Sequence, residues 1–445
     1  MVVFSRPLFF LLGFVFVVFG KATGQPSSPI PLSLDSALAR VRNNNLQLRL
    51  AQVDVAMARN NTQQAKAVWM PQLQFSYSAY QTNNPLNAFG FKLQQAQVKA
   101  SDFNPDLLNH PGNVALFQTQ LQWLQPLINA DKWMYRKILA GQSEMATLQT
   151  QRMGEALEAQ VTEVFLQLQF LVATKKVAQQ ALATMEAFHA QAQHKFEQGL
   201  LPSSDLLMVG VQVKSTETQV YECERQIADV SDALGQMMHA PMGVVYAPLP
   251  LSLVAPISLD KDLPLERADL LWLKKAATTQ ELAIASTRNA WLPRLNGVAQ
   301  YQRNDAKALG FGAGNYFAGL QLSWDILNGH QTKTKLASQQ LEKQKLDQQY
   351  LLQVEQSALA LQQVARKMQS AQFQQKQQVQ AVQQAQEALR IVENRFGQGL
   401  SSTQLVLQAQ VQLAQQKLGM EQAKWMEQTA FAHYQFLTRQ TKSNE

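Results

Sequence analysis

The sequence predicts a mainly α-helical protein with membrane-type β-strands, built from one strand–long helical hairpin unit that occurs twice. A short signature recurs after 200 positions: Lys195-Phe196-Glu197-Gln198-Gly199-Leu200 returns as Arg395-Phe396-Gly397-Gln398-Gly399-Leu400. In the same register Leu207, Val211 and Gln212 meet Leu407, Val411 and Gln412. Four short segments alternate apolar with polar residues, and two long proline-free stretches carry apolar residues in steps of four and three. Self-similarity at a long fixed period sets the architecture before any local reading.

The chain opens on Arg6, an apolar run from Leu8 to Val18, and the small residues Ala22 and Gly24. This is the order of a secretory signal, expected over residues 1–24. A membrane anchor is the other reading, but the run is short for a span. Loss of Arg6 and Lys21 lowers the formal charge from +7 to +5. A mild basic excess without a basic cluster argues against nucleic acid as a partner. Cys223 is the only cysteine, so an internal disulfide and a thiolate metal cluster are excluded. Beyond the signal no apolar run reaches about 18 residues, so entry into a membrane requires strands.

The first unit is expected over residues 25–238, with helices at 34–66, 130–196 and 203–238 and strands near 72–80 and 116–124. The second is expected over 264–440, with helices at 264–290, 331–396 and 401–439 and strands near 294–302 and 316–326. Residues 239–263 form a connector marked by Pro241, Pro248, Pro250 and Pro256, and 441–445 a tail.

Each unit enters its strands through a matching pair, Trp69-Met70-Pro71-Gln72-Leu73 and Trp291-Leu292-Pro293-Arg294-Leu295. Leu73, Phe75 and Tyr77 alternate with Gln72, Gln74, Ser76 and Ser78; Phe117, Thr119, Leu121 and Trp123 alternate with Gln118, Gln120 and Gln122. The second unit repeats this with Leu295, Ala299 and Tyr301, then Ala318, Leu320, Leu322 and Trp324. Strands of about ten residues suit a tilted bilayer crossing. A soluble sheet with one wet face has the same period. Aromatic residues near the segment ends and export without disulfides favour the membrane. Four strands cannot close a barrel, and lipid does not tolerate open edges, so the membrane reading demands an oligomer: eight strands in a dimer, twelve in a trimer. The stretch from Gln81 to Ala115 reads as a long loop, and Arg303 to Asn315 as a short glycine-containing one.

The long helices show coiled-coil seams, Leu157, Val161, Val164, Leu168 and Leu171 in one and Val382, Ala385, Leu389, Val392 and Phe396 in the other. At about 67 residues each would extend about 100 Å. Each long helix matches two shorter ones laid end to end. Their Gln-rich outer faces suit a wall wet on both sides, the geometry of a tube. At the hairpin tips Gly199 and Gly399 stand where a helix end needs a left-handed residue. Ser203 or Ser204, and Ser401 with Gln404, are the expected N-caps of the returning helices.

No catalytic constellation is present. His189 and His194, five apart, do not share a helical stripe. Met237-Met238-His239 could suggest a soft-metal site, but contiguous residues point apart and helix-end packing accounts for them better. No cofactor and no resident metal are expected.

These residues resemble the TolC-like outer-membrane efflux proteins, across essentially the mature chain. The likeness rests on the two Phe-x-x-Gly-Leu tips, the Trp-x-Pro-x-Leu strand entries, Pro126-Leu127-Ile128-Asn129-Ala130, Asp325-Ile326-Leu327-Asn328-Gly329 and Arg267-Ala268-Asp269-Leu270. The resemblance implies a homotrimer in the outer membrane of a Gram-negative bacterium, a twelve-stranded β-barrel continued by an α-helical barrel tunnel through the periplasm. It implies docking of a periplasmic adaptor and an inner-membrane pump at the tips, here Phe196, Gly199, Leu200, Ser203, Phe396, Gly399, Leu400 and Ser402. Some relatives narrow the entrance with aspartates six and nine residues past the second tip glycine; Leu405 and Gln408 occupy those places and become the expected gate. Asp205 keeps an acidic residue at the first tip, read as a helix-start charge. A leucine ring closes by dewetting, so the entrance is expected to have weak cation preference.

Overall fold

The computed structural model describes residues 29–251 and 263–440. The expected signal at 1–24, the Pro256 part of the connector and the tail at 441–445 lie outside the described residues. The chain runs β1 (Ile30–Leu32), α1 (Leu34–Asn44), α2 (Leu46–Gln64), β2 (Gln72–Thr82), α3 (Pro85–Gln94), α4 (Pro105–Asn109), β3 (Val114–Ile128), α5 (Ala130–Glu197), α6 (Ser203–Met237), β4 (Tyr246–Pro248), α7 (Ala268–Asn289), β5 (Arg294–Asp305), β6 (Ala313–Ser323), α8 (Gln331–Gly397) and α9 (Thr403–Thr438). Among the described residues, no helix is long and apolar enough to cross a membrane.

The two long helices have 68 and 67 residues. Along one part of its length α5 packs on α1 and α2, and along the rest on α6. Likewise α8 packs on α7 and α9. The pairing is not confined to each unit, because α7 also lies along α5 and α5 along α9. These crossings join the two hairpins into one wall.

The first seam is the main core. Leu157, Val161, Phe165, Leu168 and Leu171 pack with Val41 of α1, Ile227, Leu234 and Met238 of the α6 end, and Tyr246. Of the second seam, only Leu389 and Phe396 are buried. Val382, Ala385 and Val392 are partly buried, Val392 against the cluster that holds Phe396.

The expected continuous helix over 34–66 is two helices. Asn45 is extended (φ −61°, ψ 127°), ends α1, and its Oδ1 accepts from Gln47 N and Leu48 N at 2.9 and 3.1 Å to start α2. Its Nδ2 donates to the Met237 carbonyl at 2.9 Å, pinning the break to the end of α6. Asparagine at an N-cap satisfies donors that a continuous helix would bond internally.

The connector also contributes order. β4 pairs in parallel with β1, Ile30 opposite Tyr246 and Leu32 opposite Pro248. The expected long loop from Gln81 to Ala115 is instead largely helical, containing α3, a 3-10 turn at Ala100–Phe103 and α4. Asn84 and Asn104 cap α3 and α4, each followed by proline at the first helical position, where a missing N–H costs nothing. Strand β3 runs four residues past its expected end because β5 pairs along it, with Pro126 accommodated next to a register shift.

Candidate functional site

The sheet is ordered β2-β3-β5-β6, every neighbour antiparallel. Register places Phe75, Leu121, Tyr301 and Tyr316 in one row, and Leu73, Trp123, Ala299 and Ala318 in the next row of the same face. The opposite face carries Gln74, Gln122 and Gln300 in one row and Ser76, Gln120, Gln302 and Asn315 in another. Gln302 Nε2 donates to Gln120 Oε1 at 3.3 Å, and Gln120 Nε2 to Gln122 Oε1 at 3.2 Å. One face is thus suited to lipid and the other is a glutamine lattice suited to water. Phe317, in the Gln300 row, and Leu124 with Val298, in the row of Gln72, are apolar residues on this face.

Aromatic side chains gather where the sheet meets the helices. Trp69 lies 5.8 Å from Trp133, and Trp324 Nε1 donates to the Trp291 carbonyl at 2.9 Å. Tryptophans at that level form the girdle of a membrane–water boundary.

At the far end, both long helices finish in the same turn. Gly199 (φ +71°) and Gly399 (φ +75°) are left-handed. Gly199 N donates to the Phe196 carbonyl at 2.9 Å and Leu200 N to the Lys195 carbonyl at 2.8 Å. The second tip repeats both bonds, at 3.1 Å to Phe396 and 2.8 Å to Arg395. This is the Schellman pattern, which satisfies the last helical carbonyls and leaves the following leucine projecting. Leu200 and Leu400 are 70% and 74% exposed.

The N-caps differ from expectation. Ser402, not Ser401, caps α9, its Oγ accepting from Leu405 N at 3.4 Å. At the first tip the extended Pro202 takes the cap position, which puts Ser203 and Ser204 inside the first turn of α6. The two caps, Pro202 and Ser402, hold equivalent places in the repeat, but proline has no side-chain acceptor to offer the first turn.

The two tip phenylalanines have different fates. Phe196 is 39% exposed, whereas Phe396 is 4% exposed. The Phe396 ring lies 5.2 Å from that of Phe188, centroid to centroid and tilted by 59°, and packs with Ala192, Val209 and Val406. It therefore offers no side chain to a docking partner, contrary to expectation, because the adjoining hairpin already covers it. Lys195 Nζ donates to the Phe396 carbonyl at 2.7 Å and lies 4.3 Å from its ring centroid. Sequence reasoning missed this link; the matched basic pair Lys195 and Arg395 was its only signal. Leu405 is 51% exposed and Gln408 is exposed, three apart on one face of α9.

A charge network sits midway along α5, where the short helices meet end to end. Glu158 receives Arg42 Nε at 2.6 Å and Arg439 Nη1 at 2.5 Å. Burial pushes the Glu158 carboxyl up, but these two hydrogen bonds outweigh it and hold it below the usual range. Asp269 receives the buried Arg267 at 2.5 Å and Gln353 at 3.1 Å, and Arg152 lies 3.8 Å away. Burial again opposes and the cations again prevail, so its pKa is lowered. The network ties α1, α5, α7, α8 and the end of α9 at one level. Among the described residues no cluster of three or more metal-ligating side chains occurs, and the buried Cys223 thiol is pushed up by burial.

A membrane-type sheet with one lipid face, set on helical hairpins about 100 Å long, is the architecture of an outer-membrane channel. The family profile described as "Outer membrane efflux protein" matches residues 37–238 and 265–433. The chain belongs to the outer membrane efflux protein family. No curated protein sequence matches it. Its fold is similar to that of the outer membrane protein VceC of Vibrio cholerae, at 16% identity and a TM-score of 0.77, covering 92% of this chain and 96% of that one. It is likewise similar to CusC, described for transmembrane channel formation (15% identity, TM-score 0.79, 94% and 96% covered). The Campylobacter jejuni CmeC outer membrane channel is a further match (13% identity, TM-score 0.78, 93% and 87% covered). As a member of a channel family the chain is not an enzyme.

Proposed function

We propose that three copies of this chain close a twelve-stranded barrel in the outer membrane of a Gram-negative bacterium and continue it as a helical tunnel across the periplasm. The tunnel passively conducts substrates handed over by an inner-membrane pump through a periplasmic adaptor, as in tripartite efflux or type I secretion. The observation that carries this reading is the sheet itself. It has one face that is apolar through the rows of Leu73 and Phe75, a second face rich in glutamine, and two unpaired edges, β2 and β6, that run in opposite directions. Lipid does not tolerate such edges, and pairing β6 of one copy with β2 of the next preserves the antiparallel alternation.

The adaptor docks on the tips, where Leu200 and Leu400 project from the glycine turns beside Ser203 and Ser402. Leu405 and Gln408 line the entrance. The pump sets the cargo; among the described residues no cluster of three or more metal-ligating side chains offers a selective site. The test is the mass of protein extracted in detergent from purified outer membranes, corrected for bound detergent. Three mature chains per particle is the expected result. A monomer recovered only from the soluble periplasm would sink the channel and favour a coiled-coil scaffold.

A further inference from the structure

The sequence carries no basic run, but the fold assembles a basic patch where the sheet meets the helices. Four segments come together there, residues 64–70, 128–138, 286–296 and 323–336, and they hold eight lysines and arginines against two aspartates. Side-chain contacts fix them at one level. The Trp69 ring lies against that of Trp133, Ser286 Oγ donates to the Asp131 carbonyl at 2.8 Å, and Trp324 Nε1 donates to the Trp291 carbonyl. Of the two aspartates, Asp131 is already paired with Arg294 at 3.0 Å, and Asp325 is exposed in the approach to α8.

The cations left over gather at the start of α5. Lys132, Arg136 and Lys137 are exposed and make no side-chain hydrogen bond, ion pair or ring contact among the described residues. The same holds for Lys66, three residues before Trp69. At about 100° per residue, Lys132, Arg136, Trp133 and Lys137 fall within about 140° of one another. The three cations therefore share the side of α5 that carries the exposed Trp133. The start of α8 also holds two exposed lysines, Lys333 and Lys335, and no acidic residue in its first turn. The helix dipole does not account for this charge, since a helix start favours anions and is opposed by cations.

The tryptophans identify the surface that meets the patch. Trp324 continues the alternation of Leu320 and Leu322 along the apolar face of the sheet. Tryptophan at the end of such a face sits between hydrocarbon and headgroups. Cations within one turn of these rings therefore stand in the phosphate layer. At the helical end of the sheet this layer is glycerophospholipid, and a cation cluster without internal partners selects its anionic members.

We infer that Lys66, Lys132, Arg136 and Lys137 bind the phosphate of an anionic glycerophospholipid in the periplasmic leaflet, its acyl chains lying along the apolar sheet face. This rests on the membrane reading proposed above. The bound headgroup neutralises charge that the chain leaves unpaired and fixes the depth at which the sheet sits. Each cation contributes about a fivefold factor in affinity for an anionic lipid surface.

The test is native mass spectrometry of full-length protein released from nanodiscs made of phosphatidylglycerol and phosphatidylcholine in equal parts. Insertion and particle mass are followed on the same samples. Phosphatidylglycerol is expected to be retained in preference, and to be lost as salt rises from about 0.05 M to about 0.5 M. Lys132→Gln/Arg136→Gln/Lys137→Gln is expected to cut its retention by at least about fivefold. Arg366→Gln/Lys367→Gln/Lys376→Gln, which removes the same charge from the middle of α8, is expected to leave retention unchanged. Equal retention of the two lipids, retention insensitive to salt, or equal loss in both triple variants overturns the lipid site alone. A protein that enters no bilayer overturns the membrane reading and the site with it. If the first triple variant does not assemble, the lipid preference and salt dependence of the unaltered protein still decide.

Discussion

Gly141 of α5 meets Thr279 of α7 so closely that a β-carbon on Gly141 would lie 2.3 Å from Thr279 Oγ1 and 3.3 Å from its Cβ. The contact is where the first helix of unit two crosses the long helix of unit one. In an open helix Gly→Ala gains about 0.5–1 kcal/mol, but overpacking a tight crossing costs about 1–3 kcal/mol. The steric term therefore decides the sign. Gly141→Ala is expected to lower the thermal midpoint followed by circular dichroism in detergent, and Thr279→Ala in that background to restore it. A Gly141→Ala protein as stable as the parent would show that the two helices are free to separate there.

Glu158 and Asp269 predict the acid limit of the fold. Both have folded pKa values below the ordinary 4.5 and 3.8, because the arginine contacts outweigh the penalty of burial. A depressed carboxylate contributes its full stabilisation above the unfolded value and loses it as pH falls through the folded one. Stability against denaturant is thus expected to be level from about pH 7 to about pH 5 and to fall below about pH 4.5. Glu158→Gln is expected to be less stable at neutral pH, with a shallower acid decline, since one titrating group is gone. An unchanged acid slope in that variant would remove Glu158 from the network's pH dependence.

Much of this was legible in the sequence for physical reasons. Alternation along Leu73, Phe75 and Tyr77 encodes a two-faced strand, and Gly199 and Gly399 encode helix stops, because both follow from local geometry. What depends on distant partners was not legible. Asn45 breaks a helix that periodicity would continue, since its side chain has Met237 to hold. Helices α3 and α4 sit in a stretch too short and too irregular to show a period, although Asn84-Pro85 and Asn104-Pro105 are helix starts in retrospect. The tip residues were found as a repeat, but Phe196 and Phe396 looked alike; only the arrangement of hairpins makes one buried and the other exposed.

The two sheet faces predict opposite tolerances. Leu121 lies in the row of Phe75 and Tyr301, and Gln122, one residue on, in the row of Gln74 and Gln300. Arginine on a lipid face at the bilayer midplane costs about 2–4 kcal/mol, whereas a lumen position bears it and alters conduction instead. Leu121→Arg is expected to reduce the yield of assembled protein in the outer membrane. Gln122→Arg is expected to assemble normally and to shift selectivity toward anions in a bilayer recording. The reverse pattern would mean that the glutamine face, not the aromatic one, meets lipid.

Leu405 and Gln408 predict an entrance that is selective by wetting rather than by charge. Both are exposed on one face of α9, one turn after the Ser402 cap that fixes where that helix begins. Three copies would present a ring of leucines backed by neutral amides, and an apolar constriction excludes ions of both signs by dewetting. The reversal potential across a salt gradient is therefore expected to lie near zero, with low conductance. Leu405→Asp is expected to shift it strongly toward cation preference by placing three carboxylates where field lines converge. Leu405→Ser is expected to raise conductance with no change in reversal potential, because it wets the ring without charging it. Strong cation selectivity in the native protein that disappears on changing Leu405 or Gln408 would place fixed negative charge at this level and refute the dewetting gate.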